Sequence, residues 1–264
     1  MRPRILLFSC LVFVAGGLNG QVGTPKVGVV RYADHSVHTI FGLDRNLIVS
    51  SEPLASADAA SFSDFGGLLA KGGHIELVGA DFKIVAEYDS GESAPLVNMD
   101  GDLTTAIAWL PVQNALLRWN GTSFVLTEVH SSLLSHVTSV RVENPNEASL
   151  LVMESGGGVS AATVSLQTGD LMALHLLAGV TGPAFAQHSF VVFHDQTGLE
   201  IVSSNGAVRT LPLAATDLTF ERVSSDWVHL VSAATKRDWM LHLNDSALEL
   251  SELPGPPASQ EARK

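Results

Sequence analysis

Pairs of neighbouring apolar residues recur along this sequence at an interval of about 40 residues. The six pairs are Val29-Val30, Leu68-Leu69, Leu116-Leu117, Leu150-Leu151, Phe190-Val191 and Trp227-Val228. A fixed period of this length is typical of repeat architectures, in which each unit is one supersecondary structure that buries its apolar faces against its neighbours. The spacing therefore predicts six similar units, which together span residues 27–253.

Each unit contains short apolar runs with the length and composition of β-strands, separated by turn residues. The stretch Leu68–Val78 has the turn Lys71-Gly72-Gly73 between two such runs, and Leu116–Leu126 has Asn120-Gly121 at the same place. Asn-Gly is a strong hairpin signal because both central residues of a type I′ turn need positive φ. A period near 40 with about four strands per unit is the spacing of β-propeller blades. We therefore predict an all-β fold, a β-propeller of about six four-stranded blades.

Two other all-β folds are alternatives at this point. A pair of β-sandwiches does not explain six similar units, and a β-solenoid has a shorter and stricter period. The first unit is one strand shorter than the others, and closure of the ring by a strand from the other terminus is one way to supply it. Over residues 21–253 the pattern resembles that of secreted bacterial β-propeller repeat proteins in general. The signatures of WD40 and kelch repeats are absent, so the resemblance names no particular repeat family.

The two ends of the chain have compositions of their own. Residues 1–20 have the layout of a secretory signal peptide, with Arg2 and Arg4 before the apolar stretch Ile5–Leu18 and small residues after it. That stretch is shorter than the roughly 20 residues of a membrane-spanning helix. A lipoprotein anchored at Cys10 is an alternative, although only a short apolar run precedes this cysteine. Residues 254–264 contain three prolines, which predicts a disordered tail.

The signal peptide implies an exported protein, periplasmic or extracellular, and the lack of cysteines beyond Cys10 favours a bacterial source over a disulfide-rich eukaryotic one. No apolar run after residue 20 is long enough to span a membrane. The chain has 15 Lys and Arg against 27 Asp and Glu, a net charge of −12. This balance argues against nucleic acid and anionic membranes as partners, because phosphate contacts need a dense Lys and Arg surface. A single cysteine excludes an intramolecular disulfide and a cysteine-based zinc site.

Two local features are weak candidates for ligand sites. Asn98, Asp100 and Asp102 alternate as oxygen ligands do in calcium loops, although the loop lacks an acid at its twelfth position, and a polar turn is the alternative. Calcium is accordingly the one cofactor that the sequence suggests. Trp119 precedes Asn120-Gly121, and at a hairpin tip its indole would be exposed to a ligand or partner. Packing between blades is the alternative for Trp119.

No linear catalytic motif is found in the sequence: it contains no His-Glu-x-x-His, Gly-x-Ser-x-Gly or P-loop. This favours a non-catalytic binding or scaffold protein, which would hold a protein, a peptide or an envelope component on its loop face or in its central channel. The alternative is a propeller-type hydrolase or lyase whose site is assembled from several blades and therefore leaves no linear motif. An enzyme needs acids or histidines from different blades in one concave site.

Overall fold

The computed structural model describes residues 24–43, 46–215, 217–244 and 248–256. Within them the chain forms strands β1 to β24 and one short 3-10 helix, Leu103–Thr105. The strands make six antiparallel sheets, each built from consecutive strands. Each sheet packs against the next, and the last packs against the first. The predicted all-β fold, a six-bladed β-propeller, is therefore confirmed.

The first three blades take the chain to residue 128. Blade 1 contains β1 (Lys26–Arg31), β2 (Ser36–Leu43), β3 (Asn46–Val49) and β4 (Ala55–Ser56). Blade 2 contains β5 (Ala59–Ser63), β6 (Gly66–Lys71), β7 (Gly73–Gly79) and β8 (Ile84–Glu92). Blade 3 contains β9 (Leu96–Asn98), β10 (Ile107–Leu110), β11 (Ala115–Trp119) and β12 (Phe124–Glu128).

The remaining blades follow in chain order. Blade 4 contains β13 (Val137–Asn144), β14 (Glu147–Met153), β15 (Gly158–Ser165) and β16 (Leu171–Thr181). Blade 5 contains β17 (Ala184–Gln187), β18 (Phe190–His194), β19 (Leu199–Ser203) and β20 (Val208–Leu211). Blade 6 contains β21 (Leu218–Arg222), β22 (Trp227–Ser232), β23 (Arg237–Leu243) and β24 (Leu248–Leu253). In blades 2 to 6 the first strand is the inner one.

Six apolar clusters fill the six interfaces between neighbouring blades. The recurring apolar pairs explain how, because adjacent residues of a strand point to opposite faces of the sheet. Leu68 packs into the cluster shared with blade 3, and Leu69 packs into the cluster shared with blade 1. Val29 and Val30 divide in the same way between blade 2 and blade 6. One apolar pair per blade therefore supplies both neighbouring cores, and this requirement produces the period in the sequence.

One of the six pairs lies on a different strand from the others. In blades 2, 4, 5 and 6 the pair is on the second strand, whereas Leu116-Leu117 is on β11, the third strand of blade 3. The equivalent residues of blade 3 are Ala108 and Trp109 on β10, which pack into the clusters shared with blades 2 and 4. With this correction the interval becomes more regular, because residue 108 lies nearly midway between 68 and 150.

Blade 1 is narrower than the other five. Its strands β3 and β4 both pair with the same strand, β2, so the sheet is three strands wide. A side chain on Gly28 would collide with Val223, and three residues later Arg31 pairs with Glu221. Because the residue numbers rise along β1 while those of the contacted residues fall, β1 runs antiparallel to the inner strand β21. β1 thus takes the position of a second strand, and the inner strands β21 and β5 of the flanking blades contact each other directly. The prediction that the first unit is one strand short agrees with this arrangement.

The suggested closure by a strand from the other terminus is wrong for the described part of the chain, since no sheet there combines strands from both ends. The ring closes instead by side-chain contacts between blades 1 and 6. The predicted signal peptide, residues 1–20 with Cys10, lies outside the described residues. Of the predicted tail, residues 254–256 are described and follow β24.

Candidate functional site

The propeller axis is lined by the inner strands of blades 2 to 6. Near the start of the inner strands, a cavity of 340 Å³ opens on the axis and is lined by residues of five blades. Phe185 and Phe220 stack in its wall with ring centroids 6.2 Å apart. Its charged side chains include Arg31 and Glu221, and these pair with each other through a hydrogen bond of 2.8 Å from Arg31 Nε to Glu221 Oε1. We call this space the axial mouth.

At the other end of the inner strands, an ion pair crosses the axis. Arg222 is the last residue of β21 in blade 6, and Asp100 follows β9 in blade 3, so the two come from opposite sides of the ring. Arg222 Nη1 lies 2.8 Å from Asp100 Oδ1, and the two side chains are 1% and 15% exposed. Burial lowers the pKa of Arg222, and the negative charge of Asp100 partly offsets this. An arginine remains protonated in such surroundings, so the charge on the axis persists.

Two buried amide side chains lie at the ends of the same inner strands. Asn98 ends β9 and is 3% exposed, and Ser61 Oγ donates to its Oδ1 at 3.5 Å. Gln187 ends β17 and is 0% exposed, and its Nε2 donates to the carbonyl oxygens of Ser224 and Ser225 at 3.1 and 2.7 Å. We call Asn98, Asp100, Gln187 and Arg222 the axial cluster.

The axial cluster holds most of the buried polar side-chain atoms that have no hydrogen-bond partner in the described chain. They are Nε and Nη2 of Arg222, Nδ2 of Asn98, Oε1 of Gln187 and Oδ1 of Asp100, the last in ion-pair contact only. Buried polar groups without partners are rare in folded proteins, and each one calls for a partner such as water or a ligand. Three of these five atoms are N–H donors. The cluster is therefore best matched by a group that accepts hydrogen bonds.

A groove of 480 Å³ lies between blades 4 and 5, beside this cluster. Its lining includes Arg141, His175 and His188, together with apolar side chains, and contains no Asp or Glu. His188 also lies 3.8 Å from Asp100 Oδ1, so one wall of the groove borders the axial cluster. In a chain of net charge −12, a groove lined with basic and neutral side chains is suited to a negatively charged ligand.

A second buried network lies between blades 1 and 6. His229 is 0% exposed; its Nε2 lies 2.9 Å from Asp238 Oδ1 and its Nδ1 lies 3.8 Å from Glu221 Oε2. Burial by itself lowers the pKa of His229, but the two carboxylates outweigh burial and raise it above 6.5. Tyr32 packs edge-on against His229, and burial together with the charge of Asp238 raises the pKa of its hydroxyl. The network contacts blade 1 through the ring of Tyr32 and through Arg31, which pairs with Glu221.

The residues of the predicted calcium loop each have other contacts. Asn98 and Asp100 belong to the axial cluster, whereas Asp102 caps the 3-10 helix, where its Oδ1 accepts from Thr104 N at 2.9 Å. Among the described residues no group of three or more His, Cys, Asp or Glu side chains is placed to hold a metal ion. The calcium site stays a prediction from the sequence.

Trp119, the predicted ligand contact, ends β11 and is 7% exposed. Its ring packs edge-to-face on Phe124 at 5.4 Å, in the core shared by blades 2 and 3. One side of the residue borders a cavity near the turn at Asn144 and Pro145. A role of Trp119 in ligand binding stays a prediction.

Sequence analysis does not identify Arg222, Gln187 or Arg141 as candidate site residues. Each lies on the inner strand of its blade, and Gln187 and Arg222 end theirs, as Asn98 does. One feature of the sequence points to them: in several units a polar residue ends the first strand, and these residues face the same axial space. It becomes visible only once the strand order within each unit is known.

Within the described residues, no helix is long and apolar enough to cross a membrane. No protein-family model matches the sequence, and no curated protein matches it either.

Solved β-propeller structures resemble this fold at low sequence identity. A chain of the nidogen–laminin complex aligns with a TM-score of 0.57 and 11% identity, over 86% of this chain and 93% of that one. Hydrazine synthase of Kuenenia stuttgartiensis aligns with a TM-score of 0.48 and 11% identity, over 88% and 80% of the two chains. Virginiamycin B lyase of Staphylococcus aureus aligns with a TM-score of 0.47 and 11% identity, over 89% and 87%. At these identities the likeness shows the fold alone.

Proposed function

We propose that this protein is a non-catalytic binding protein that holds a negatively charged group, such as a carboxylate, against Arg222 on the propeller axis. The observation that carries the proposal is the set of buried donors without partners, Nε and Nη2 of Arg222 and Nδ2 of Asn98. A guanidinium presents its N–H groups in a planar fork that matches the two oxygens of a carboxylate. In a site this buried, such a hydrogen bond is stronger than one in water.

The groove between blades 4 and 5 supports a ligand that also has an apolar part. Leu151, Leu177 and Val191 line it next to the basic side chains Arg141 and His188. Ligand sites of this kind are mostly apolar, with a few polar groups that fix the orientation of the ligand. An amphipathic carboxylate with a short apolar chain is therefore the proposed class of ligand.

Binding is favoured over catalysis because the axial cluster contains one carboxylate, Asp100, and it is paired with Arg222. The axial mouth is a weaker candidate than the cluster, because all three guanidinium nitrogens of Arg31 already donate to Glu221 or to the Tyr32 carbonyl oxygen. Arg222, in contrast, has two nitrogens, Nε and Nη2, without a partner in the described chain. We further propose, from residues 1–20, that the protein binds its ligand after export from the cytoplasm.

Thermal melting in the presence of acetate, butyrate or hexanoate tests the proposal, with chloride used to match the ionic strength. A ligand at 100 times its dissociation constant stabilises a protein by about 2.7 kcal/mol, which shifts the melting temperature by several degrees. We expect hexanoate to stabilise the protein most, because its chain buries apolar surface in the groove.

Arg222→Lys is the test variant, because lysine keeps the charge beside Asp100 and loses the fork. Arg237→Lys is the matched control, at an exposed arginine that pairs with Glu252. Stabilisation by hexanoate is expected to survive in the control and to disappear in Arg222→Lys. Equal responses of the two variants, or no response of the natural protein to any carboxylate, would overturn the proposal.

A further inference from the structure

Strand β16 (Leu171–Thr181) is the outer strand of blade 4 and, with 11 residues, the longest strand of the described chain. One of its edges pairs with β15. Along the other edge no strand of the described residues pairs with it, so its backbone N–H and C=O groups there are open to another chain. Natural proteins usually protect such edges with charged residues, proline or short strands.

The outer strands of the other blades carry this protection, and β16 does not. Charged residues lie on β8, β12, β20 and β24, and β3 is only 4 residues long. The sequence of β16 is LMALHLLAGVT, with no Asp, Glu, Lys or Arg. β16 is therefore a long, uncharged edge on a protein whose net charge is −12.

Large apolar side chains are exposed along one face of β16. Met172, Leu174 and Leu176 are 59%, 37% and 67% exposed, and residues two apart on a strand share a face. The opposite face carries His175 and Leu177, which line the groove between blades 4 and 5. Exposed apolar rows of this kind mark interaction surfaces.

We propose that two copies of this protein form a dimer by antiparallel pairing of β16 with the partner's β16 across a two-fold axis. Two acidic copies repel each other, and β16 is the edge at which they can approach without placing like charges opposite one another. A two-fold contact uses the same surface on both copies and closes on itself, so association ends at the dimer. Backbone hydrogen bonds then satisfy the open edges, as in other strand-addition interfaces.

The register of the pairing follows from the regular part of the strand. Ala173 to Leu177 pair with β15 without a bulge, and His175 is the centre of this part. With His175 on the two-fold axis, Leu174 lies opposite the partner's Leu176, and the four leucines bury one another. An interface built on a single strand pair is small, so we expect micromolar rather than nanomolar affinity.

Sedimentation velocity of the full chain over a range of concentrations tests the dimer, since one copy has a mass of 27.9 kDa. Leu176→Glu places a charge on the apolar face, and Val208→Glu makes the same change at a 57% exposed position on the outer strand β20. We expect the natural protein and Val208→Glu to reach twice the single-copy mass. Leu176→Glu should raise the dimer dissociation constant by at least about tenfold. A natural protein that stays at the single-copy mass, or two variants that behave alike, would overturn the proposal.

Disulfide cross-linking tests the register independently of affinity. The chain has one cysteine, Cys10, so a Cys10→Ser background contains no thiol. Residues directly opposite on antiparallel strands have Cα atoms about 4.5–5.5 Å apart, which suits a disulfide. His175→Cys in this background is expected to give a covalent dimer on mild oxidation, and Val208→Cys is expected to stay monomeric. Cross-linking through Val208→Cys but not through His175→Cys would show a different interface.

Discussion

The Tyr32 hydroxyl donates a hydrogen bond of 2.8 Å to the carbonyl oxygen of Pro254, and this bond joins the residue after the first strand of the propeller to the residue after its last strand. Tyr32 is 1% exposed and packs among Ile40, Met240 and Leu253 in the cluster between blades 1 and 6. The bond therefore lies inside the interface at which the ring closes.

Replacing Tyr32 with phenylalanine is expected to lower the free energy of unfolding by about 1 kcal/mol, because the ring stays in place while one buried hydrogen bond is lost. The chain has 2 tyrosines, and the other, Tyr88, makes a matched control. Tyr88 contributes a ring contact with Phe124 in a different interface. Urea denaturation should show a clear loss for Tyr32→Phe and little change for Tyr88→Phe. Equal losses would mean that the bond to Pro254 adds nothing to stability.

The buried His229 is expected to make stability depend on pH. Burial opposes its charge, but Asp238 and Glu221 raise its pKa in the folded state above the ordinary value of 6.5. Its protonation therefore stabilises the fold fully below pH 6.5, and this contribution is lost as the pH rises through the folded-state pKa. Glutamine in place of His229 carries no titratable proton.

Urea denaturation from pH 6 to pH 9 measures this effect in the natural protein and in His229→Gln. The difference in unfolding free energy between the two should decrease as the pH rises. A difference that is constant or increases over this range would contradict the assignment of a raised pKa.

The ion pair on the axis is expected to show strong coupling in a double-mutant cycle. Arg222→Met leaves Asp100 next to the axis without its cation, and breaking a buried pair costs about 3 kcal/mol or more. Adding Asp100→Asn removes the stranded charge, so the double variant should be more stable than the sum of the single changes predicts. We expect a coupling energy of about 1–3 kcal/mol by urea denaturation. If the losses in unfolding free energy of the two single variants simply add, the two side chains do not interact in solution, which would contradict the ion pair.

Gly169 tests the contact between blades 3 and 4. It has φ +74, and a Cβ atom there would overlap the carbonyl oxygen of Glu128 at the end of β12. Gly206 has a similar φ of +82 but no atom within 4 Å of an added Cβ. Gly206→Ala should cost about 1 kcal/mol for the left-handed backbone alone. Gly169→Ala should cost at least about 3 kcal/mol, because the turn must move away from blade 3. Thermal melting compares the two, and similar losses would argue against a tight contact at Gly169.

The sequence predicts the architecture because each blade must place an apolar residue in two neighbouring cores, and that requirement repeats once per blade. The prediction is wrong at Leu116-Leu117, which lies on the third strand of blade 3. Two leucines are a more obvious apolar pair than Ala108 and Trp109, the residues on the second strand that pack into the two neighbouring cores. The sequence also indicates the narrow first blade, since no apolar run that could form an inner strand precedes Val29-Val30 within the repeat region.

The axial cluster could not be predicted from the sequence. Asp100 and Arg222 come from opposite blades, and their contact depends on how the ring closes rather than on any local pattern. The sequence indicates Asp100 as a calcium ligand because oxygen-bearing residues alternate in this short loop, and that pattern does not reveal that Asp100 faces Arg222. Burial of Trp119 is equally invisible, since a tryptophan beside Asn-Gly fits both a hairpin tip and the core below it.

The interface between blades 6 and 1 also determines how the ring can open. Loops of the chain connect each of the other five pairs of neighbouring blades. Within the described residues, blades 6 and 1 are joined only by the apolar cluster between them, the Arg31–Glu221 pair and the Tyr32–Pro254 hydrogen bond. Loss of these contacts, together with the direct contact between the inner strands β21 and β5, would turn the closed ring into an open arc and expose an apolar face at each end. The order of unfolding is thus set by connectivity: the seam at Tyr32 separates first, and hydrogen exchange should reach Val30 and Met240 before the cores of blades 2 to 5.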